Sequence, residues 1–396
     1  MQNPINFRSA GTMNQAQSSS AGSSSGSGGN GANNNNTTTT TTSAGTQKKQ
    51  HKYPKRLSQN MEKRAEGSAG ASSSRPTTSS LSKTRVEEMY NSRTNQDRDT
   101  RNASPIIPLR NFNNWVKGVL IYKYVPMQSV VLDISCGKGG DLFKYHFRNI
   151  KYYVGVDIAH ASLVDCTSRY NENSAQFKFP ITLIHADVGK TSIDPVLPRG
   201  LLFDAVSCQF AAHYMFDTEE HARMLLRNVT DRLKNGGKFI LTTSDAYVLV
   251  KMLRNVQGYT LKNDVFEATF HCAPDKSFPN VFGNRYDFQL IDAVDLCPEY
   301  LVPPKHFIDL AREFNLHIVE HLNFHDFYEK YGSNQETKVN VKPELKLEGM
   351  TEDLWTAIYL YRAFVFEKRG GPVPQDQFQL PTGYKKLAAS DIISLK

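Results

Sequence analysis

Cysteine is scarce in this 396-residue chain, with five residues at positions 136, 166, 208, 272 and 297. None forms a Cys-x-x-Cys pair and no His-x-His cluster accompanies them. Neither a disulfide framework nor a zinc site is therefore expected, which suits a reducing compartment. Long apolar runs are also missing: none approaches the roughly 18 residues of a membrane span. The N-terminus lacks the hydrophobic core of a secretory signal. The expectation is a soluble, intracellular protein with no metal and no membrane contact.

Apolar residues are sparse over 1–104, where Ser18–Ser20, Ser23–Ser25, Asn33–Asn36 and Thr37–Thr42 form polar runs. Too little can be buried there to offset the entropy of ordering the chain, so a disordered tail is predicted. That tail holds 14 Lys and Arg against 6 Asp and Glu, a surplus equal to the +8 of the whole chain. The remaining residues balance at 33 of each sign. A basic arm of this kind suits a nonspecific anchor for a polyanion, or simply a solubilising tail. Its densest part, Lys48 to Arg56 followed by Lys63-Arg64, also suits a nuclear import signal. About 105–370 then forms one large folded domain, and 371–396, with Pro372, Pro374 and Pro381, a loosely ordered end.

From residue 130 short apolar runs alternate with helical patterns. Strands are predicted at Val130–Ile134, Tyr152–Ile158, Ile181–Val188, Leu202–Phe210 and Lys238–Ser244. Over Glu219–Lys234 a helix places Ala222, Leu225, Leu226, Val229 and Leu233 on one face, with Asn235-Gly236-Gly237 as its C-terminal turn. This rhythm implies a parallel sheet covered on both faces, with ligands beyond the strand C-termini. After Ser244 an inserted pair of strands is expected, Phe266–His271 and Arg285–Leu290, in a small lobe at about 250–300. A helix at Lys305–Phe314 and strands at His317–Phe324 and Ile358–Glu367 complete a seven-stranded sheet whose last strand runs antiparallel.

The stretch Asp133-Ile134-Ser135-Cys136-Gly137-Lys138-Gly139-Gly140-Asp141 reads as strand, glycine turn and helix start. Glycine lets backbone N–H groups approach a nucleotide-like ligand closely. Acidic residues flank this turn and Ser135 stands where a dinucleotide turn has its first glycine. Both features oppose a pyrophosphate and favour S-adenosylmethionine, whose ammonium an acid can receive. Asp157 lies at the next strand end, where a carboxylate accepts from ribose hydroxyls. Asp187 is placed to accept from an adenine amino group, and Gln209 ends the fourth strand. Singly, each is more simply a loop carboxylate or a cap; together they mark one sheet edge.

Seven blocks carry a resemblance to the eukaryotic mRNA cap guanine-N7 methyltransferases. They are RNFNNWVK (110–117), DISCGKGGDLFK (133–144), DIAHASLVDCTSRY (157–170), SCQFAAHYMF (207–216), FGNRYDFQL (282–290), PEYLV (298–302) and WTAIYLYRAFVFEK (355–368). The resemblance spans about 105–370 and implies a Rossmann-like sheet with helices on both faces. For the donor it implies Lys117 on the methionine carboxylate, Ser135 against the methionine end, Asp157 on the ribose, Asp187 at the adenine, and Gln209 and Tyr214. For the cap it implies Asn113, Asn114, Lys138, Lys144 and Arg169 along the phosphates and nucleoside, with His213, Glu299 and Tyr361 enclosing the guanine. Capped mRNA is the implied partner, an activating subunit and the transcription and capping machinery are candidate ones, and the nucleus is the expected location.

Guanine N7 has no proton to remove, so no general base is expected. Positioning by His213, Tyr214 and Glu299 would supply the acceleration. Three other readings compete: a dinucleotide-dependent dehydrogenase, a noncatalytic RNA-binding scaffold, and a methyltransferase with a small-molecule acceptor. The first lacks an identifiable proton donor, the second conflicts with intact donor residues, and the third leaves Lys138, Lys144 and Arg169 unexplained.

Overall fold

The computed structural model describes residues 81–92, 103–371 and 378–395. The basic stretch Lys48 to Arg56 and the polar runs lie outside them. The main sheet begins with β1 (Val130–Ile134), β2 (Tyr152–Asp157), β3 (Ile181–His185), β4 (Phe203–Gln209) and β5 (Leu233–Ser244). These pair in parallel in the order β5-β4-β1-β2-β3. All five residues of β1, four apolar and Asp133, are buried, because helices cover both faces. Pairing of β1 with both β4 and β2 opens a crevice at its C-terminal end, the switch point of the sheet.

Two further strands extend the β5 side. Tyr361–Lys368 (β11) pairs antiparallel with β5, and Leu316–Asn323 (β10) pairs antiparallel with β11. On the opposite edge Ile393–Ser394 (β12) pairs in parallel with β3. Among the described residues the sheet thus has eight strands rather than the expected seven. The eighth comes from the end expected to be loosely ordered: the Asn171 amide and carbonyl bond Leu387 and Tyr384, and the Leu395 N–H donates to His185 O.

A second, four-stranded antiparallel sheet replaces the expected inserted pair. It comprises β6 (Thr260–Lys262), β7 (Phe266–Phe270), β8 (Arg285–Leu290) and β9 (Val294–Tyr300). The sequence pattern missed β9 because Pro298 stands in it and its outer residues are exposed, so the apolar alternation is weak; the three residues of β6 are too few to show a period.

The helices used below are α1 (Leu81–Ser92), α2 (Ile107–Tyr124), α3 (Leu142–Phe147), α4 (His160–Glu172), α5 (Glu219–Thr230), α6 (Ala246–Arg254), α7 (Pro304–Glu313), α8 (Phe324–Tyr331), α9 (Gln335–Asn340) and α10 (Glu352–Tyr359). Helix α5 follows the predicted amphipathic pattern, burying Ala222, Leu225, Leu226 and Val229, with the Thr218 side chain accepting from the His221 N–H at its start. It stops four residues early. Leu233 already pairs with Phe203, and Asn235-Gly236-Gly237 forms an irregularity within β5 instead of a helix cap. The expected last strand likewise starts late, because Thr351 caps α10, which runs to Tyr359. Tyr359 and Tyr361 therefore do not share a strand face. Helix α1 falls inside the stretch expected to be disordered through residue 104. Its buried Val86 and Met89 pack on Cys297 of β9. No described helix is long and apolar enough to cross a membrane.

Candidate active site

The turn after β1 uses left-handed backbone at Ser135 (φ 58°), Gly137 (φ 52°) and Gly139 (φ 68°). Glycine is obligatory at 139, where an added Cβ would stand 2.7 Å from Cys166 Sγ and 2.8 Å from Leu142 Cδ1. Serine at 135 tolerates the same conformation at a cost of about 1–2 kcal/mol. The turn is fixed to the next strand end: the Gly137 N–H donates to Asp157 Oδ2 at 2.8 Å, and the Ala159 N–H donates to Oδ1 at 2.8 Å. Burial raises the Asp157 carboxyl, while these N–H groups favour its ionised form. The carboxylate is thereby preorganised rather than free to rotate.

A cavity opens over this edge, lined by Ser135, Asp157, Asp187, Gln209 and Tyr214 together with apolar groups such as Val188 and Met215. Five of the six residues expected at the donor thus meet in one place. Gln209 is held by Ser207 and Thr242, at 3.1 Å and 3.0 Å. Asp187 Oδ1 accepts the Gly189 N–H at 3.0 Å. Polar groups set along an apolar slot suit a nucleoside, so the residues present fit the expected donor. Lys117 does not line the cavity; its Nζ donates to Asp141 at 2.9 Å.

The acidic flanks take a different role from the one expected. Asp133 lies within the core, accepts the Tyr153 hydroxyl at 2.9 Å, and is pushed up to about 7 by burial and by Asp141. Asp141 sits between Lys117 and Lys144, its carboxyl held low by the two ammonium groups against its own burial. Neither acid lines the donor cavity. Their place beside the turn identified both acids, but Asp133 is oriented by Tyr153 and Asp141 in part by Lys117, partners distant in sequence.

Beside the donor cavity stands a buried polar cluster. The His213 ring lies 4.4 Å, centroid to centroid, from that of Tyr214. Its Nδ1 is 3.2 Å from Thr243 Oγ1, and its Nε2 is 3.5 Å from Glu299 Oε1. The Tyr286 hydroxyl donates to Glu299 Oε2 at 2.5 Å. Burial lowers His213 to about 3 and raises Glu299 to about 8, so at neutral pH their contact is between uncharged groups and is not an ion pair. Burial and the nearby Glu299 also raise the Tyr361 hydroxyl, and the Tyr361 ring meets Phe210 edge-on at 5.2 Å. His213 and Glu299 are thus in contact, and Tyr361 lies near enough to feel the Glu299 charge.

The residues expected along the phosphates are more dispersed. Lys138 pairs with Asp165 of α4 at 2.7 Å, and Arg169 lies one turn further along that helix. Lys144 is buried between Asp141 and Asn114, 3.2 Å from Asn114 Oδ1. Asn113 Oδ1 and Arg169 Nε are buried without hydrogen-bond partners among the described residues. Such atoms are costly unless a polar ligand reaches them. The sequence reading missed Val86 and Tyr90 of α1, which line the donor cavity. The Tyr90 hydroxyl lies 3.3 Å from that of Tyr214. The one signal was the apolar spacing of Val86, Met89 and Tyr90 amid polar residues.

A doubly wound sheet with a nucleoside-shaped cavity at its switch point is the architecture of α/β methyltransferases. The description "mRNA (guanine-N(7))-methyltransferase domain" belongs to a family model that matches residues 73–369. The mRNA cap guanine-N(7) methyltransferase 1 of Oryza sativa subsp. japonica is 43% identical over 307 residues, covering 74% of this chain and 83% of the relative. Its counterpart in Arabidopsis thaliana is 42% identical over 303 residues, covering 72% and 81%. The mRNA cap guanine-N(7) methyltransferase of Schizosaccharomyces pombe is 38% identical over 299 residues, covering 72% and 82%. The chain belongs to the mRNA (guanine-N(7))-methyltransferase family and is an enzyme of that class.

Proposed function

We infer that the chain transfers the methyl group of S-adenosylmethionine to N7 of the terminal guanine of capped mRNA, using the donor cavity and the adjoining His213–Glu299 cluster. The observation that carries this reading is Tyr214, which lines the donor cavity while its ring packs on His213. One aromatic wall thus serves both reactants and sets their separation. The donor, when bound, supplies an electrophilic methyl group on a sulfonium.

Asp157 accepts from the ribose hydroxyls, Ser135 and the turn hold the methionine end, and Asp187 and Gln209 bound the adenine side. Lys117 reaches the donor carboxylate by exchanging its Asp141 contact. Glu299, in its ionised form, accepts from the guanine N1–H and amino group, with His213 and Tyr361 enclosing the base. Lys138, Lys144, Arg169, Asn113 and Asn114 take the cap phosphates and nucleoside. No residue acts as a base, because N7 carries no proton. Acceleration comes from holding both reactants in attack geometry, with a smaller electrostatic term from Glu299 as positive charge reaches the purine. A nuclear site of action follows from an mRNA substrate and is supported by the basic tail.

The test is incubation with labelled methyl donor and GpppG-capped or uncapped RNA, followed by nucleoside analysis. Label should appear in N7-methylguanosine with capped RNA only. Label in any other nucleoside, or in uncapped RNA, overturns the reading.

A further inference from the structure

A second cleft lies away from the donor and guanine sites, between α2, α3 and the loop after α9. Tyr122, Lys144, Arg148, Asn340 and Lys342 line it, with Gly118 at its base, and no carboxylate does. Gly118 makes the cleft narrow: a Cβ there would stand 2.9 Å from Val341 Cγ1 and 3.2 Å from Lys342 O, so the loop closes on α2 only over glycine. Arg148 donates Nε to Val125 O at 2.9 Å, and its guanidinium lies 5.3 Å from the Tyr122 ring centroid. That packing orients the guanidinium fork, and no described carboxylate pairs with it. Lys342 pairs with Glu344 two residues on, an exposed contact of little energetic weight. Glu336 accepts the Tyr122 hydroxyl at 3.3 Å from outside the cleft wall.

The cleft adjoins the residues assigned above to the cap phosphates and shares Lys144 with them. Asn114, Gly118 and Tyr122 follow one another at helical spacing along α2, and eight residues of helix span about 12 Å. Lys144 belongs to both ends, lying 3.2 Å from Asn114 Oδ1 and lining the cleft. Beyond Lys144, a polyanion leaving the cap subsite meets Arg148 and Lys342.

We propose that this cleft holds a backbone phosphate of the RNA chain that follows the cap. The proposal rests on the cap reading given above. An arginine fork stacked on an aromatic ring suits a phosphodiester, and Lys342 adds a point charge on the opposite wall. The contact would make the enzyme prefer a capped chain to an isolated cap.

The test compares GpppG with a capped 10-nucleotide RNA, using the wild type and the double variant Arg148→Ala/Lys342→Ala, over a range of NaCl. The wild type should show a lower KM for the 10-mer than for GpppG. The double variant should raise the 10-mer KM roughly tenfold and reduce its log–log salt slope by about 0.7, the share of one single-strand phosphate. Turnover of GpppG should stay within twofold, which also shows that the variant is folded. Arg148→Lys should restore part of the 10-mer preference. An unchanged 10-mer KM overturns the proposal, as does an equal loss on both substrates. Survival of the 10-mer preference in saturating inorganic phosphate, which competes for the same charged groups, separates the preference from the cleft and overturns it too. Binding of polyglutamate with no effect on RNA assigns it to an acidic protein, with the same consequence. Failure of the wild type to methylate GpppG would sink the cap reading itself, a separate result.

Discussion

Replacing Glu299 by glutamine tests the guanine pocket, because burial holds this carboxyl protonated at neutral pH. Its shift from 4.5 to about 8 has burial as the main cause, with the Tyr286 hydroxyl pulling the other way. A change of that size is equivalent to about 5 kcal/mol between the protonation states, and leaves about one molecule in ten ionised at pH 7. Only the ionised form offers both oxygens to the two donors of the guanine edge. Since kcat/KM reports the free enzyme, it should rise about tenfold between pH 7 and pH 9, with a midpoint near 8. His213 stays neutral throughout this window, having been lowered to about 3, and cannot supply that limb. Glu299→Gln keeps the volume and the acceptor for Tyr286 but replaces one guanine-facing oxygen by a donor. Its kcat/KM should be roughly a hundredfold lower, equivalent to about 3 kcal/mol, and level with pH. Initial rates on GpppG at constant ionic strength decide the matter. A wild-type profile flat from pH 7 to 9, or a glutamine variant that keeps the limb, refutes the assignment. Stability gives a second reading with a definite sign. The folded carboxyl lies above its unfolded value, so the wild type loses stability as pH rises from about 4.5 to 8. The glutamine variant should lack that decline in thermal melts.

Two other outcomes follow from the geometry. Removing residues 1–72 should leave kcat/KM within threefold, whereas removing 1–104 takes α1 with its Tyr90 and Val86 and should cost at least a hundredfold, about 3 kcal/mol; equal activity of the two truncations would dismiss α1 as part of the site. Gly139→Ala puts a Cβ 2.7 Å from Cys166 Sγ at a φ of 68°, which should destabilise by about 2–4 kcal/mol; an unchanged melting temperature by calorimetry would contradict that packing.

The central sheet was legible because each strand from β1 to β5 is a short apolar run ended by a polar residue, and burial on two faces leaves that pattern intact. Asp157, Asp187 and Gln209 were legible for the same reason, since the strand ends that carry them converge by topology alone, whereas Ser135 and Tyr214 came from the resemblance. Lys117 and Lys144 were placed by motif; Asp141 meets Lys144 as an i,i+3 pair, but its contact with Lys117 could not be foreseen from spacing. The Lys117 contact depends on how α2 packs on α3. Strand β12 is two residues long and acquires meaning only from its pairing with β3. Helix α1 is hidden by composition, since a few apolar side chains amid polar neighbours resemble any soluble linker. The Tyr286–Glu299 hydrogen bond was invisible because it joins strands whose register is fixed by a β-bulge between Phe288 and Leu290.

Helix α1 has a consequence for how affinity is distributed. The described side chains anchoring it are few: Val86 and Met89 against Cys297, Tyr90 against Tyr214, and Asn91, whose Oδ1 accepts the Ala161 N–H at 3.2 Å. Two buried apolar side chains return about 3–6 kcal/mol, while ordering a dozen backbone residues costs more than that before helical bonds offset it. Occupancy of the donor cavity and seating of α1 are therefore linked equilibria. A donor dissociation constant would then equal the intrinsic one divided by the seated fraction. Any event on the preceding chain that alters that fraction changes apparent affinity with every pocket residue unchanged.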